Sequence, residues 1–467
     1  MTWRPLPIIG EAYADEALPW SAQDVCNWIP TPAEAPGTLS PWKLETPPGY
    51  VEFSDLGTGS GIRGTHDVSG LLLAVSGNTL FRIAPDGTPT SIGTIPGVGR
   101  VSMAHNQVQN GHEVLIANGQ SGYVYDTRDG TLAQITDDGF PGLKVVDFID
   151  GYLAGVETQG RFWTHSELRK AKDWTALDRY DAEASPDKLT TLIVSSREVM
   201  VLGPESGQFF RNTGAGTGTF QNANGMEINV GCVSPFAVAQ IDNTVCWLGS
   251  DGLVYALAGH TPQILSTGPI AQAMAGYKLE TAFCTTWEDR KHKIVYFTFP
   301  AGPTFGYDFW TRKWHRRASH GMSRWRLNTL TRSAGKWIGG DYSNGKLYRL
   351  DWDVVTEDGE EMVSSLRSPV VHAEGNPIQV AAVKFAFDVG RVPVGDTDHY
   401  CSLRYSDDGG HNYSDARLMS LGPAGAYRTE VVERRLGRTE RRVWELEVSS
   451  PAKRDLLAAV WQAEVTA

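Results

Sequence analysis

One local pattern recurs from near one end of this chain to the other: two short apolar or aromatic runs joined by a turn of Asn, Asp, Ser or Gly. In Lys336–Asp351, Lys336-Trp337-Ile338-Gly339 reads as one strand, Ser343-Asn344-Gly345 as the turn and Lys346-Leu347-Tyr348-Arg349-Leu350 as the return. Asn-Gly is a strong hairpin signal, because both residues accept the positive φ of a tight primed turn. The unit is repeated around Ser76-Gly77-Asn78, Asn118-Gly119, Asp150-Gly151, Ser195-Ser196-Arg197, Ser250-Asp251-Gly252 and Asp289-Arg290. The turns step by about 30 to about 55 residues, with a mean of about 44, the period of propeller blades of four short strands. A lone hairpin cannot bury its own face, so neighbours stack around a closed ring. The expected fold is all-β. An extended N-terminal arm (1–50) leads into a β-propeller of about six blades (51–356), and a C-terminal antiparallel β-sandwich (364–467) follows.

The arm is rich in proline and carries scattered aromatics: Trp3, Tyr13, Trp20, Trp28, Trp42 and Tyr50. It cannot make a core of its own, so it is expected to lie across the propeller or a neighbouring subunit. Deletion of residues 1–45 is expected to leave a soluble propeller. Arg179–Asp187 and Arg211–Asn224 read as long surface loops. Glu357–Glu361 reads as an acidic link, open to proteases, between the propeller and the sandwich. Beyond it Gln379–Val389, His399–Tyr405, Arg417–Leu421, Tyr427–Arg435, Arg442–Val448 and Leu457–Val465 alternate apolar and polar residues, as sandwich strands do. Helical patterns are short, with Glu167–Ala176 and Pro269–Met274 the best candidates.

The net charge of −12 argues against nonspecific adhesion to nucleic acid or anionic membrane. Cys26, Cys232, Cys246, Cys284 and Cys401 are odd in number and widely spaced, which fits reduced core thiols and not a disulfide framework or zinc site. No run is apolar enough to read as a signal peptide or a membrane span.

Few constellations suggest chemistry. Ser406-Asp407-Asp408-Gly409-Gly410-His411-Asn412-Tyr413 fits the Asp-box of sialidases and related propellers, where serine and aspartate hold a hairpin. Gly214-Ala215-Gly216-Thr217-Gly218 looks like a phosphate loop but lacks the closing Lys-Ser or Lys-Thr pair. Arg312, Lys313, Arg316, Arg317, Arg324 and Arg326, interleaved with Trp314, His315 and Trp325, could serve a subunit interface, DNA or a solvated strand face. Arg428, Arg434, Arg435, Arg438, Arg441 and Arg442, mixed with Glu430, Glu433 and Glu440, are expected to form cross-strand ion pairs. No catalytic cluster is legible, so no catalytic, cofactor or metal residue is expected.

Several segments carry a family likeness. Gly99-Arg100-Val101-Ser102-Met103-Ala104-His105, Arg179-Tyr180 followed by Ala184-Ser185-Pro186-Asp187, and Tyr405–Ser449 resemble the packaged DNA stabilization protein of short-tailed, P22-like bacteriophages. So do Asn27-Trp28-Ile29-Pro30, Thr46-Pro47-Pro48-Gly49, Ile62-Arg63-Gly64 and Val75-Ser76-Gly77-Asn78-Thr79-Leu80, in register from about residue 25 to the C-terminus. The resemblance implies a non-enzymatic virion protein, assembled in the host bacterial cytoplasm, without cofactor or membrane contact. It implies a homo-oligomeric ring of six forming the tail hub or nozzle. Its partners would be the portal adaptor or head-completion protein and the tail needle, tailspike or fibre proteins, and a chain lacking residues 1–45 would no longer join filled heads. Duplex DNA would pass through the lumen without specific binding, and acidic walls would let it slide. The rival readings are a sialidase-like glycan-binding or glycan-hydrolysing propeller and a monomeric peptide-binding scaffold.

Overall fold

The computed structural model describes residues 2–106, 112–182, 188–216, 218–223, 225–391 and 399–466. Residues 183–187 in the first expected loop, and Thr217 and Asn224 in the second, lie outside them. Seven four-stranded antiparallel units stand in chain order at 62–94, 102–134, 143–180, 191–222, 238–264, 283–317 and 327–351. The first strand of each blade touches the first strand of the next, and Leu327–Ser333 returns to touch Ile62–Val68, so the ring is closed. The count is seven and not about six, because each turn read from the sequence marks its own blade. The seventh blade has only three strands of local sequence and takes Gly49–Asp55 from the N-terminal side as its outer strand.

The turns form for the expected reason at Asp150-Gly151, where φ is +48° and +95° and the backbone is left-handed at both positions. The Asn344-Gly345 turn differs. Only Gly345 has positive φ, at +74°, and the loop is held by side chains instead. Asp341 accepts the Ser343 N–H at 2.7 Å and Asn344 accepts the Lys346 N–H at 3.0 Å. Between blades the apolar faces interdigitate: Leu73, Val75 and Leu80 of the first pack with Val114, Ile116 and Tyr125 of the second. Glu167–Ala176 is not a helix. Arg169 takes φ +63°, the chain reverses, and Lys170–Tyr180 pairs back on Trp163–Glu167. Ala171 and Trp174, whose spacing imitates a helix face, are buried against the second blade. Pro269–Met274 does lie in a helix, Gly268–Ala275, capped by Thr267.

The N-terminal segment is neither a loose arm nor a single layer. Arg4–Pro5, Ile29–Pro32 and Trp42–Glu45 join one sandwich sheet with Leu456–Val465, Ile378–Phe387 and Val431–Thr439. Asp24–Cys26 runs parallel to Lys313–Arg317, the outer strand of the sixth blade, and antiparallel to Ser364–Arg367 of the sandwich. The sixth blade, this short strand and the second sandwich sheet are therefore one ten-stranded sheet. Leu6, Ile8, Val25, Trp28 and Leu44 lie in the sandwich core beside Val380, Phe385 and Trp444.

The acidic link is also built in. Glu357 is buried and its strand runs parallel to the seventh blade's outer strand, opposite Tyr50. A side chain at Gly49 would meet the Thr356 carbonyl at 2.2 Å, so only glycine lets the link pass this closely. Only the tip of the link, at Gly359, Glu360 and Glu361, is exposed.

One contact ties the arm to the ring with a pH signature. His292 Nδ1 lies 2.7 Å from Asp308 and its Nε2 lies 3.7 Å from Glu45. Burial opposes a charged ring, but the bonds to Asp308 and Glu45 outweigh it and raise the His292 pKa above 6.5. Burial likewise opposes ionisation of Glu45, yet His292 and Lys43 bring it down from 4.5 to about 2. The histidine's contribution is complete below its unfolded value and is lost as pH rises through the raised value; the glutamate's is complete above 4.5 and is lost as pH falls toward about 2. Thermal stability should therefore be highest between about pH 4.5 and about pH 6.5 and fall on the alkaline side. The variant His292→Gln should flatten that alkaline limb; an unchanged limb in a melting series across pH would refute the assignment.

Candidate functional site

The inner strands bring seven equivalent starting points to one mouth of the axis. There Arg100, between the first and second blades, reaches across the ring. Its guanidinium donates to the Asn328 carbonyl of the seventh blade at 2.7 Å. It also stacks 3.8 Å from the Phe283 ring centroid of the sixth blade and lies 5.6 Å from that of Phe236. Burial, and secondarily Arg324, bring its pKa down to about 9, so it stays charged at neutral pH. This side chain plugs the mouth. The sequence drew attention to its segment only as a family likeness, because a role across the ring has no local signal.

The opposite mouth is a cavity of about 380 Å³ lined by residues including His66, His105, Asp147, Phe148, Ser196 and Gln240. His66 Nε2 and His105 Nδ1 share a hydrogen bond of 2.8 Å. Burial, with His105, lowers His66 to about 4, so the pair is neutral. Asp147 is raised to about 6 by burial, although the backbone N–H groups of Val194 and Phe148 hold its two oxygens at 2.7 and 2.8 Å. These polar groups staple neighbouring blades. Thr65 and Thr331 do the same at 2.7 Å, and Thr191 donates to the Pro235 carbonyl at 2.8 Å. Among the described residues no three His, Cys, Asp or Glu side chains converge as a metal site.

The basic-aromatic stretch is internal apart from the exposed turn residue Arg312, which corrects its reading as an interface, a DNA contact or a solvated strand face. Trp314, His315, Arg317, Arg324 and Trp325 are all buried. Arg316 pairs with Asp24 through Nε at 2.9 Å, Lys313 with Glu11 at 2.8 Å and Arg326 with Asp341 at 3.0 Å. Asp24 and Glu11 stand about 300 residues away in sequence, so the local stretch looked unpaired when it was not.

Beneath it lies a buried polar joint. Arg317 stacks 4.6 Å from the Trp325 ring centroid and lies 3.6 Å from Glu357, which also accepts the Trp325 indole N–H at 3.1 Å. Burial raises the Glu357 pKa and Arg317 opposes it. Arg454, from the sandwich, donates to the carbonyls of Val355 at 2.7 Å, Val448 at 3.2 Å and Met362. Burial brings its pKa down to about 10. Trp28 donates to the Arg454 carbonyl at 3.0 Å, and Asp455 accepts the Thr46 N–H at 2.8 Å. Propeller, link, arm and sandwich thus meet at one desolvated node.

The Asp-box behaves as a fold element. Ser406 donates to Asp408 at 2.6 Å and accepts the Gly410 N–H at 2.8 Å, and Asp408 accepts the N–H groups of His411 and Asn412 at 3.0 and 2.9 Å. Its turn packs on Pro19 and Ala22 of the arm. The second arginine cluster divides. Arg442 is buried and bidentate to Asp407 at 2.6 and 2.8 Å. Glu433 pairs with Arg417 at 3.0 Å, and Glu430 with Lys384. No ion pair reaches Arg428, Arg434, Arg435, Arg438 or Arg441 among the described residues, so the expected cross-strand pairing fails for most of the cluster.

Comparison with known proteins completes the picture. The family model described as "Bacteriophage P22 Gp10, beta-propeller" matches residues 4–355, and "Bacteriophage P22 Gp10, beta-sandwich" matches residues 364–464. No curated protein matches the chain. Among solved structures, the extracellular domain of a protein described as a hybrid two component system from B. thetaiotaomicron is 12% identical, with a TM-score of 0.46. That match covers 76% of this chain and 43% of the other, so the chain spans less than half of its length. Virginiamycin B lyase from Staphylococcus aureus is 11% identical over 64% of this chain and 98% of its own, with a TM-score of 0.46. The computationally designed Ika8 protein is 14% identical over 64% and 100%, with a TM-score of 0.39. One family description spans the ring and the sandwich that the joint holds together: the chain belongs to the bacteriophage P22 Gp10 family and is a phage structural tail protein.

Proposed function

We propose that this chain is the subunit of the tail hub, or nozzle: a homo-oligomeric ring of six below the portal and its adaptor. The ring closes the DNA channel after packaging and presents a platform to the needle, tailspike or fibres. The observation that carries the reading is the family match along both domains. The joint supports it, because a ring that retains pressurised DNA needs subunits whose domains do not part under load. The plugged axis also fits, since it leaves the lumen of the ring, and not the propeller axis, as the path for DNA. The protein does no hydrolysis in this reading; the Asp-box holds a hairpin and the axial carboxylate holds a backbone.

The test is reconstitution. Filled heads carrying portal and adaptor but lacking this protein should lose DNA to added nuclease, and purified protein should protect it. Equal protection without the protein would refute the retention role. Release of sugar from capsule or lipopolysaccharide, abolished by one carboxylate substitution, would restore the glycan-hydrolase reading.

A further inference from the structure

The charge of this chain is unevenly placed. Residues 364–467 hold 13 Lys and Arg against 14 Asp and Glu, so the segment 1–363 carries −11 of the net −12. Within this nearly neutral sandwich, the strand Val431–Thr439 is the end strand of its sheet. Arg434, Arg435 and Arg438 on it, and Arg441 just beyond it, are exposed. None of the four has an ion pair among the described residues, whereas the nearby Glu430, Glu433 and Arg442 each have one.

Arginines on an edge strand commonly guard against edge-to-edge pairing. The backbone here already performs that task. The ladder with Ile378–Phe387 slips between Val380 and Ala382, and Arg435 and Gly437 sit at φ +61° and +78°. A strand bulged in this way cannot extend a regular ladder, so a partner does not read its backbone. What remains for recognition is four guanidinium groups against one exposed carboxylate among them, Glu440, and guanidinium groups bind phosphate oxygens through forked N–H donors. Opposite Ala382 to Gln379, the stretch from Arg434 to Arg438 covers roughly 10 Å of edge at about 3.3 Å per residue. That is about three phosphate steps along one strand of a duplex, and Arg441 beyond it adds a fourth contact.

We propose that this edge is a phosphate-contact strip: Arg434, Arg435, Arg438 and Arg441 hold the backbone of duplex nucleic acid, without reading its sequence. The contact is local and works against the repulsion of the acidic remainder of the chain, so it is weak and strongly dependent on salt. It stands apart from the ring reading, because it concerns a single subunit and free duplex.

The experiment is fluorescence anisotropy of a labelled duplex of arbitrary sequence with the purified full-length protein. Four phosphate contacts give a log–log salt slope of about −3.6, so affinity should fall roughly 100-fold between about 50 mM and about 200 mM salt. Binding should not change when the sequence is scrambled. The quadruple variant Arg434→Glu, Arg435→Glu, Arg438→Glu, Arg441→Glu keeps the edge charged, and hence protected against pairing, while reversing its sign. It should melt like the parent and lose duplex binding by at least about 100-fold. The double variant Arg434→Gln, Arg438→Gln should keep about half the salt slope. Undetectable binding by the parent at the lower salt would overturn the proposal. So would a quadruple variant that binds as the parent does. Arginine-dependent self-association in sedimentation, without duplex binding, would also overturn it and assign the edge to a second copy of this chain.

Discussion

Replacing Arg454 by alanine will destabilise the protein by about 3–5 kcal/mol, the range for breaking a buried charged network. The side chain is buried and supplies donors to the carbonyls of Val355, Met362 and Val448, which belong to the link and the sandwich. Alanine leaves those oxygens dry and unpaired, at about 1–3 kcal/mol for each group that water cannot reach. Arg454→Lys keeps the charge but cannot reach three carbonyls in a planar fork, so it should recover only part of the loss. Urea unfolding followed by tryptophan fluorescence measures this directly. A loss below about 1 kcal/mol would show that the joint is not what fastens the sandwich to the ring.

Removing residues 2–45 should have a still larger effect. The deletion strips Arg4–Pro5, Ile29–Pro32 and Trp42–Glu45 from one sandwich sheet and the bridging strand Asp24–Cys26 from the other. It also takes Leu6, Ile8, Val25, Trp28 and Leu44 out of the core. At about 1.5–3 kcal/mol for each fully buried apolar side chain, the loss is on the order of 10 kcal/mol, comparable with the whole stability of an ordinary domain. The variant should fail to accumulate as soluble protein. Recovery of a soluble chain with the parental melting temperature would return the segment to the status of a detachable arm.

That second expectation reverses the one drawn from sequence, and the reason is instructive. The hairpin turns were legible because their chemistry is local: residues such as Asp150 and Gly151 declare a left-handed turn wherever they stand. The Asp-box was legible for the same cause. Contacts between distant segments were not. Lys313, Arg316 and Arg317 looked like a free basic patch because Glu11, Asp24 and Glu357 are far away in sequence. The hairpin of the seventh blade was legible, but its outer strand was not, because that strand comes from Gly49–Asp55. Arg100 was conspicuous in sequence, yet nothing near it says that it crosses the axis to Phe283 and Asn328. The exposed arginines of Val431–Thr439 were read as paired because glutamates alternate with them, but a bulge at Arg435 breaks the alternation.

The way the ring closes also governs how the chain can be made. Gly49–Asp55 emerges from the ribosome early and must wait for Lys346–Asp351, nearly three hundred residues later, before it has a neighbour to pair with. Arg4–Pro5 waits longer, for Leu456–Val465 at the other end of the chain. Such pairings carry a large loop-closure entropy and place this protein among slow folders of high contact order. During synthesis Ile29–Pro32 and Trp42–Glu45 can pair with each other, but Leu6, Ile8 and Val25 have no core to enter, and such exposed apolar side chains invite chaperones and misassociation. A chain that stops before Lys346–Asp351 cannot close its ring, and one that stops before Leu456–Val465 cannot complete its sandwich.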